Sequence, residues 1–376
     1  MKILILADIE AGGELIATQT LIERLRKYDK HYKFYLVAIL KNKYLIKESL
    51  FEEIVYIKQK KYEKPLKFYR ELFYQLGKGA KIIDKICRKH VFDHVIAIDY
   101  MLVISYLISQ KKPNYIYYFH GIKNGYKIFH DTYNHYMIFK KLLEILALIL
   151  SKKIIIPSIT AKTYLINNYG LFLKKMSFPI VPNLIRNEFN DKYISKEAKN
   201  EKNILYSGRL DPNKGIRNLL YAFLKLTIKY PKIYLNIAYF GKPDARLFDE
   251  IKDLINKGEK IRLLNNLQTT DLVKLYRSSC LGVLPSSFEI SPLFYKEALA
   301  CSLPIFTTNI GDVKKSSSNL FLLKDSEFNT IYNTIADFLK NKIKYQQKAR
   351  IIFKNWKNNY NEDKIINDFL KAIKNK

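Results

Sequence analysis

The stretch Pro285-Ser-Ser-Phe-Glu-Ile-Ser-Pro-Leu-Phe-Tyr-Lys-Glu-Ala-Leu-Ala-Cys-Ser-Leu-Pro304 decides the interpretation of this chain. The apolar residues just before it predict a short buried strand. Ser291 suits the N-cap of a helix, and Pro292 suits its first turn, where a missing N–H costs nothing. The pattern therefore places Glu289 in a strand-end loop and Glu297 nearly two turns inside the following helix.

This predicted helix start is a candidate binding site for an anion. The first amides of a helix, around Ser291 and Leu293, have no partner within the helix and attract negative charge. Glu289 lies on one side of these amides and Glu297 on the other. The two carboxylates are placed to accept hydrogen bonds from the two polar ends of a sugar nucleotide. The alternative is an ordinary strand–loop–helix with solvated glutamates, since short motifs often match by chance.

A second stretch, Asn203-Ile-Leu-Tyr-Ser-Gly-Arg-Leu-Asp-Pro-Asn-Lys-Gly215, predicts a strand, a glycine turn and a helix start. Gly208 permits a close turn, and Arg209 offers a planar fork of donors for phosphate oxygens. Lys214 adds a point charge close to the helix that follows. Taken alone, these are two of 65 basic residues and would be read as solvated.

Together, the two stretches resemble the paired signatures of glycosyltransferase family 4, the retaining two-domain nucleotide-sugar transferases. Gly12-Gly13 after the first strand resembles the glycine loop of that family, and His120-Gly121 resembles its active-site histidine. The segments 153–158 and 180–183 resemble the strands that close its first domain. The resemblance covers roughly residues 1–310 in the order of the family, which is more specific than any one motif.

The resemblance implies a fold, a reaction and a set of roles. The fold is α/β, with two Rossmann-like doubly wound domains facing a central cleft (GT-B). The reaction is transfer of a hexose or N-acetylhexosamine from a nucleotide-diphosphate sugar, UDP above all, with retention of anomeric configuration. The implied contacts are Arg209 and Lys214 to the diphosphate, Glu297 to the ribose, Glu289 and His120 to the sugar, and Gly12, Gly13, Gly208, Ser291 and Leu293 as backbone contacts.

Apolar strands alternate with helical stretches along the chain, which predicts parallel sheets built from βαβ units. The alternation breaks at the polar stretch 187–203 and then resumes. We therefore predict an acceptor domain over 1–186 and a sugar-donor domain over 187–350. A last helix over 351–376 is expected to return to the first domain. Ligands of such folds bind at the carboxyl ends of the strands.

Composition restricts the compartment and the partners. Three cysteines without metal spacing favour a reduced, cytoplasmic protein, and no apolar run is long enough to span a membrane. The net charge of +30 is spread evenly, with 32 basic and 16 acidic residues in 1–188 and 33 and 19 in 189–376. The first explanation for this excess of basic residues is an AT-rich genome. An anionic membrane surface is the functional alternative, and no specific nucleic acid is expected because no recognised module is present.

Two segments, 58–90 and 134–153, carry apolar residues at helical spacing, which usually marks a core-facing side. The alternative is an interfacial helix on the inner face of the plasma membrane, for which Phe68, Tyr69 and Phe73 with their basic flanks are the preferred candidates. Such a helix would suit a glycan or lipid-linked glycan acceptor used in building a bacterial surface polysaccharide.

The sequence predicts no metal site and no cofactor besides the nucleotide-sugar co-substrate. The histidines lack a third ligand at metal-binding spacing, and no Asp-x-Asp pair occurs. Two other functions stay open. A nucleotide-sugar 2-epimerase on the same fold would convert its substrate without an acceptor. A non-catalytic basic protein would bind nucleic acid with steep salt dependence.

Overall fold

The computed structural model describes residues 1–9, 13–40, 46–58, 65–98, 100–110, 114–120, 135–189, 200–313 and 321–374. Within these ranges the chain divides into two compact units. The first unit comprises residues 1–9, 14–183 and 363–374, and the second comprises Gly13 and residues 184–362.

The first unit is built on a six-stranded parallel sheet with strand order β3-β2-β1-β4-β5-β6. Its strands are rich in β-branched and aromatic residues, and β1 is apolar at nearly every position, as expected for a strand covered on both faces. The elements are β1 (Lys2–Ile9), α1 (Gly13–Tyr28), β2 (Lys33–Leu40), β3 (Glu53–Lys58), α2 (Pro65–Lys89), β4 (His94–Ala97), α3 (Tyr100–Gln110), β5 (Ile116–Tyr118), α4 (His135–Ile149), β6 (Lys153–Ile155) and α5 (Ile159–Tyr169).

The second unit contains another six-stranded parallel sheet, with order β12-β11-β10-β7-β8-β9. Its core includes the fully buried Tyr206, Phe223 and Tyr276. The elements are β7 (Asn200–Gly208), α6 (Ile216–Lys229), β8 (Tyr234–Tyr239), α7 (Ala245–Asn256), β9 (Ile261–Asn265), α8 (Thr269–Ser278), β10 (Ser279–Leu284), α9 (Leu293–Ala300), β11 (Ile305–Thr308), β12 (Phe321–Leu323), α10 (Phe328–Lys340) and α11 (Lys342–Asn359).

The prediction of two Rossmann-like α/β domains is confirmed. Numbered within its own unit, each sheet has the order 3-2-1-4-5-6, the arrangement of doubly wound nucleotide-binding folds. Right-handed crossovers through the intervening helices are what parallel neighbours of this kind require. The apolar strands and their order thus place the ends of β1 and β4, and of β7 and β10, at the points where the strand order reverses.

The final helix, α12 (Glu362–Lys374), packs on the first unit. Lys153 donates to the carbonyl of Ala372 at 3.2 Å, and the Tyr28 hydroxyl donates to Asn367 at 3.2 Å. The unit boundaries fall at 183/184 and 362/363, whereas the sequence analysis placed them at 186/187 and 350/351. The second difference has a simple cause, because α11 runs unbroken through residue 351.

The two amphipathic helices have mixed outcomes. In α2, Leu72, Leu76, Ile83 and Ile86 are buried, but Phe73 is 59% exposed. The side chains of Phe68 and Tyr69 lie outside the described residues. In α4, Ala147 and Leu148 are fully buried, while a line of aliphatic residues remains partly exposed. In the part of the chain that the structure describes, no helix is long and apolar enough to cross a membrane.

Candidate active site

The two motif stretches meet at the switch point of the second sheet. β7 and β10 are hydrogen-bonded neighbours, so the turn that begins at Gly208 and the loop that carries Glu289 leave adjacent strand ends. Residues separated by about 80 positions in sequence are therefore brought together by strand pairing. This is the place at which open α/β sheets bind ligands.

A salt bridge joins the two stretches directly. The ammonium of Lys214 lies 2.7 Å from Glu289 Oε1, and both side chains are about 85% buried, with 15% and 14% exposed. The hydroxyl of the fully buried Ser286 donates to the same oxygen at 3.0 Å. Charge-assisted hydrogen bonds of this length, in a site that is largely buried, hold both charged groups in a defined geometry. Lys214 and Glu289 are thus fixed within reach of one ligand.

Backbone contacts reinforce this junction. The amide and the hydroxyl of Ser287 both donate to the carbonyl of Asn213 at 3.0 Å. Gly215 has φ +65°, and a Cβ built there would lie 2.0 Å from the carbonyl oxygen of Pro285. Glycine is required at this position both for the left-handed conformation and for the close approach. The turn that carries Lys214 therefore rests directly on the loop that carries Glu289.

The loop after β11 packs on the same region. Gly311 has φ +60°, and a Cβ there would lie 2.9 to 3.0 Å from the carbonyl oxygens of Ile290 and Glu289. Beside it, Asp312 accepts from the Lys296 ammonium at 2.7 Å and from the Ser291 hydroxyl at 2.8 Å. Lys296 also donates to the Ser291 hydroxyl at 2.8 Å. This three-membered cluster ties α9 and the loop before it to the next strand end.

The predicted capping of α9 is wrong by one residue. The helix starts at Leu293, and Pro292 occupies the N-cap without a side-chain cap. Ser291 does not cap the helix because its hydroxyl is used in the cluster with Asp312. Ser291 and Leu293 lie on either side of Pro292 and are half-buried, and their contact to an anion stays a prediction.

Glu297 lies deeper, with 2% of its surface exposed. The Arg186 guanidinium donates to Glu297 Oε1 from Nε at 2.8 Å, and its Nη2 lies 2.6 Å from the same oxygen. The Tyr276 hydroxyl donates to Oε2 at 3.0 Å. Burial raises the pKa of the Glu297 carboxyl above its ordinary value, and Arg186 and then Tyr276 oppose that rise. Burial also raises the pKa of the Tyr276 hydroxyl, so Tyr276 stays protonated and acts as a donor.

The remaining residues of the second stretch occupy the predicted turn. Gly208 ends β7, and the Tyr206 hydroxyl below it donates to the carbonyl of Arg209 at 2.7 Å. The Arg209 side chain is exposed. Asp211 caps the short 3₁₀ helix Pro212–Lys214 by accepting from the amide of Asn213 at 3.0 Å. The turn is thus built by its own polar residues and presents Arg209 at the strand end.

The predicted site residues of the first unit are described only in part. Gly12 lies outside the described residues, and Gly13 is the first residue of α1. His120 follows β5, as expected. Its Nε2 lies 3.4 Å from the Thr18 hydroxyl of α1, and its ring centroid lies 4.0 Å from that of Tyr118. His120 therefore lies at the carboxyl edge of the first sheet.

Sequence reasoning missed Arg186 and Asp312. Arg186 lies just before the polar stretch 187–203 that predicts a domain boundary, and Asp312 follows a strand that carries no motif. Charge alone did not distinguish them among 65 basic and 35 acidic residues. A usable signal was Gly311-Asp312 in the loop after β11, a glycine followed by a charged residue as at Gly208-Arg209. Across the described ranges, no three His, Cys, Asp or Glu residues are grouped so that they could hold a metal ion.

Comparison with known proteins places the motif region in one family. Residues 187–356 match the family model described as Glycosyl transferases group 1. Glycogen synthase of Mycobacterium tuberculosis is 32% identical over 117 residues, which cover 31% of this chain and 28% of that protein. O-antigen chain mannosyltransferase B of Escherichia coli is 30% identical over 128 residues, which cover 32% of each. The chain thus matches about a third or less of the length of these relatives.

A solved structure is similar over the whole chain. Anabaena Alr3699/HepE, determined in complex with UDP-glucose, superposes with a TM-score of 0.71, covering 99% of this chain and 100% of that one, at 16% identity. At this identity the likeness supports the fold alone, which is the two-unit parallel α/β architecture of GT-B glycosyltransferases. The match to the group 1 glycosyltransferase model covers the residues that carry the Lys214–Glu289 junction and Glu297.

Proposed function

We propose that this protein is a retaining hexosyltransferase that uses a nucleotide-diphosphate sugar, UDP-glucose or a similar UDP-sugar first among the candidates. The second unit binds the sugar donor. The acceptor is a glycan or lipid-linked glycan, and the product contributes to a bacterial surface polysaccharide. The UDP-glucose complex of the similar structure and the O-antigen mannosyltransferase among the relatives support these choices.

The observation that carries the proposal is the Lys214–Glu289 salt bridge at the switch point of the second sheet. A cation and a carboxylate held side by side match the two chemistries of a sugar diphosphate. The cation attracts the phosphate oxygens, and the carboxylate accepts hydrogen bonds from sugar hydroxyls. The group 1 family match over the same residues supports this assignment.

The protein contributes charge stabilisation to the reaction. Transfer breaks the bond between C1 of the sugar and the diphosphate oxygen through an oxocarbenium-like state. Negative charge then builds up on the departing diphosphate, and Arg209 and Lys214 are assigned to stabilise it together with the helix amides near Leu293. Because Lys214 is already held by its salt bridge to Glu289, little reorganisation of this cation is needed as the charge develops.

We assign no protein nucleophile and no metal ion to the transfer reaction. Retention without a covalent intermediate requires a front-face displacement, which is the expectation taken from the family. We expect transfer to persist in excess EDTA because Arg209 and Lys214 supply the positive charge that a metal ion would otherwise bring. Three further roles stay predictions. Backbone contacts to the diphosphate or the acceptor are assigned to Gly12 and Gly13, and a contact to the sugar is assigned to His120.

We also propose that the protein works on the cytoplasmic face of an anionic membrane. Along α4, Ile138, Leu142, Leu146 and Ile149 recur at helical spacing and are 42% to 56% exposed. Phe73 of α2 lies beside α4, with its ring centroid 6.3 Å from that of Phe139. The exposed side of α2 adds a row of cations: Arg70, Lys78, Lys81 and Lys85. A row of cations beside an aliphatic face complements anionic headgroups over acyl chains and would repel a second copy of the same surface.

A donor screen tests the proposed activity. We expect UDP, or a UDP-sugar, to raise the melting temperature of the protein, and a radiolabelled sugar to appear on a glycan or lipid extract, with and without EDTA. Conversion of the sugar nucleotide without an acceptor would instead identify the epimerase. If no nucleotide sugar stabilises the protein and DNA or RNA binds with steep salt dependence, the transferase proposal is wrong.

A further inference from the structure

A buried chain of polar groups connects Arg186 to the turn that carries Arg209. Ser207, the residue before Gly208, hydrogen-bonds the Tyr276 hydroxyl, which donates to Glu297 Oε2. The other oxygen of Glu297 receives Arg186. Side-chain exposure is 12% for Arg186 and 3% for Glu297. A chain of this kind transmits the position of one member to the others, because every polar atom needs its partner once it is out of water.

Arg186 is itself fixed by packing. Its guanidinium lies over the Phe189 ring, 4.9 Å from the centroid, and Phe189 is fully buried against the edge of Tyr276 at 5.1 Å. The amide of Ile185 just before it donates to the Tyr360 hydroxyl at 3.2 Å. The Arg186 side chain that contacts Glu297 is therefore held by packing, unlike that of an exposed surface cation. An arginine held in this way orients a carboxylate better than a lysine would.

Two nitrogens of the Arg186 guanidinium contact the same oxygen of Glu297. Nε and Nη2 lie 2.8 and 2.6 Å from Oε1, so Oε1 is taken up by Arg186. Oε2 accepts from the Tyr276 hydroxyl. A carboxylate oxygen can accept two hydrogen bonds. Oε2 is therefore the atom of Glu297 at which a further donor, such as a ribose hydroxyl, is most readily accommodated.

We propose that Arg186 is a positioning residue for nucleotide binding, which orients Glu297 so that Oε2 accepts a hydrogen bond from the ribose diol. This rests on the proposed function. Three charged or titratable groups act on Glu297: Arg186 and Tyr276 favour its ionised form, and Glu188 opposes it. Loss of Arg186 leaves burial and Glu188 dominant, and Glu297 then takes up a proton at a higher pH. A protonated carboxyl offers a poorer acceptor to the ribose.

The test compares UDP with 2′,3′-dideoxy-UDP, which lacks the diol. We expect Arg186→Gln in the full chain to weaken UDP binding roughly tenfold near neutral pH, and more at lower pH. Binding of the dideoxy nucleotide should change little in the same variant. Arg186→Lys, which keeps the charge but not the fork, should recover part of the loss. In Glu297→Gln protein, adding Arg186→Gln should bring no further pH dependence.

A matched control separates this from general destabilisation. Arg217→Gln removes the arginine of an exposed salt bridge to Glu250 in the same unit and should leave both nucleotides unaffected. Equal weakening of UDP and dideoxy-UDP by Arg186→Gln, or no weakening at all, would overturn the positioning role while leaving the transferase standing. If the unmodified protein binds no nucleoside diphosphate, both proposals fail. If Arg186→Gln does not fold, Tyr276→Phe removes the donor to Oε2 and should also weaken UDP binding more than dideoxy-UDP binding, by a smaller factor.

Discussion

The two units share one strand order, yet their strand ends differ in what they hold. In the second unit, the loops after β7 and β10 carry the Lys214–Glu289 salt bridge. Side-chain and backbone hydrogen bonds tie together the loops that follow the neighbouring strands β7, β10 and β11. In the described part of the first unit, the corresponding edge carries His120 with Thr18 and Tyr118. The apolar surface shows the opposite trend, because the line of exposed aliphatic residues on α4 belongs to the first unit.

This difference shows that the fold and the chemistry are specified separately. Apolar strands with intervening helices are enough to produce the order 3-2-1-4-5-6 twice in one chain. The group 1 family match, however, is confined to residues 187–356. What distinguishes the second unit is a small set of polar residues at the switch point, since a fold of this class supports many unrelated functions.

The largest effect is expected at the salt bridge of the second unit. Lys214→Ala should lower kcat about a hundredfold, because it removes a cation aimed at the departing diphosphate and leaves Glu289 without its partner. Steady-state kinetics with the sugar donor identified by the screen measure this. The control is Lys274→Ala, which breaks an exposed pair with Asp271 on α8 and should leave kcat unchanged. A kcat near the unmodified value in Lys214→Ala would remove the distinction between the two units.

Alanine substitutions at two glycines test how much the contact between Gly215 and Pro285 contributes to stability. Gly215→Ala brings a methyl group against the carbonyl of Pro285, and we expect it to cost more than about 3 kcal/mol of unfolding free energy and most of the activity. Gly258→Ala, at φ +86° but with no atom within 4 Å, should cost about 1 kcal/mol from backbone strain alone. Denaturant unfolding of both variants gives the comparison. Equal losses would mean that the close approach at Pro285 is unimportant.

Much of this arrangement was predictable from sequence. Strand ends are marked by apolar runs followed by glycine or proline, so Gly208 was correctly placed at the end of β7 and Glu289 in the loop after β10. Their meeting followed from the rule that ligands bind at the carboxyl edge of parallel strands. The short β12 was not predicted, because three residues that follow a polar stretch of sequence give too little periodicity to recognise.

The partners inside the site were not predictable. The pairing of Arg186 with Glu297 joins residues 111 positions apart, and nothing local to either residue indicates the other. The same is true of Asp312, whose contact to Ser291 displaced the expected helix cap. Local patterns report on backbone conformation, whereas these contacts depend on which strands become neighbours and on how deeply each side chain is buried.

A smaller effect is expected in the first unit. His120→Asn should lower kcat about tenfold, the size expected for loss of one hydrogen-bonding contact to substrate, and should leave the affinity for UDP unchanged. Kinetics combined with calorimetric titration of UDP separate the two quantities. His31→Asn, on the exposed loop before β2, is the control. A loss as large as that of Lys214→Ala would show that the first unit contributes to the chemistry as much as the second.

The smallest effect concerns the exposed face of α4. Leu142→Ser with Leu146→Ser should weaken binding to vesicles that contain phosphatidylglycerol about fivefold, because two aliphatic side chains no longer enter the interface. Both residues are 42% to 56% exposed, so the variant should fold, which circular dichroism can check. Neutral phosphatidylcholine vesicles should bind the unmodified protein less well, since the cations of α2 then have no anionic partner.

The control for that experiment is Ile228→Ser with Ile351→Ser, which alters two isoleucines of the second unit that are even more exposed, at 84% and 61%. If membrane binding belongs to the first unit, this control should sediment with anionic vesicles as the unmodified protein does. Equal weakening by both pairs would indicate general hydrophobic adhesion, and no weakening by the α4 pair would show that its aliphatic face does not meet lipid. Either result would remove the membrane surface from the first unit while leaving the Lys214–Glu289 site unaffected.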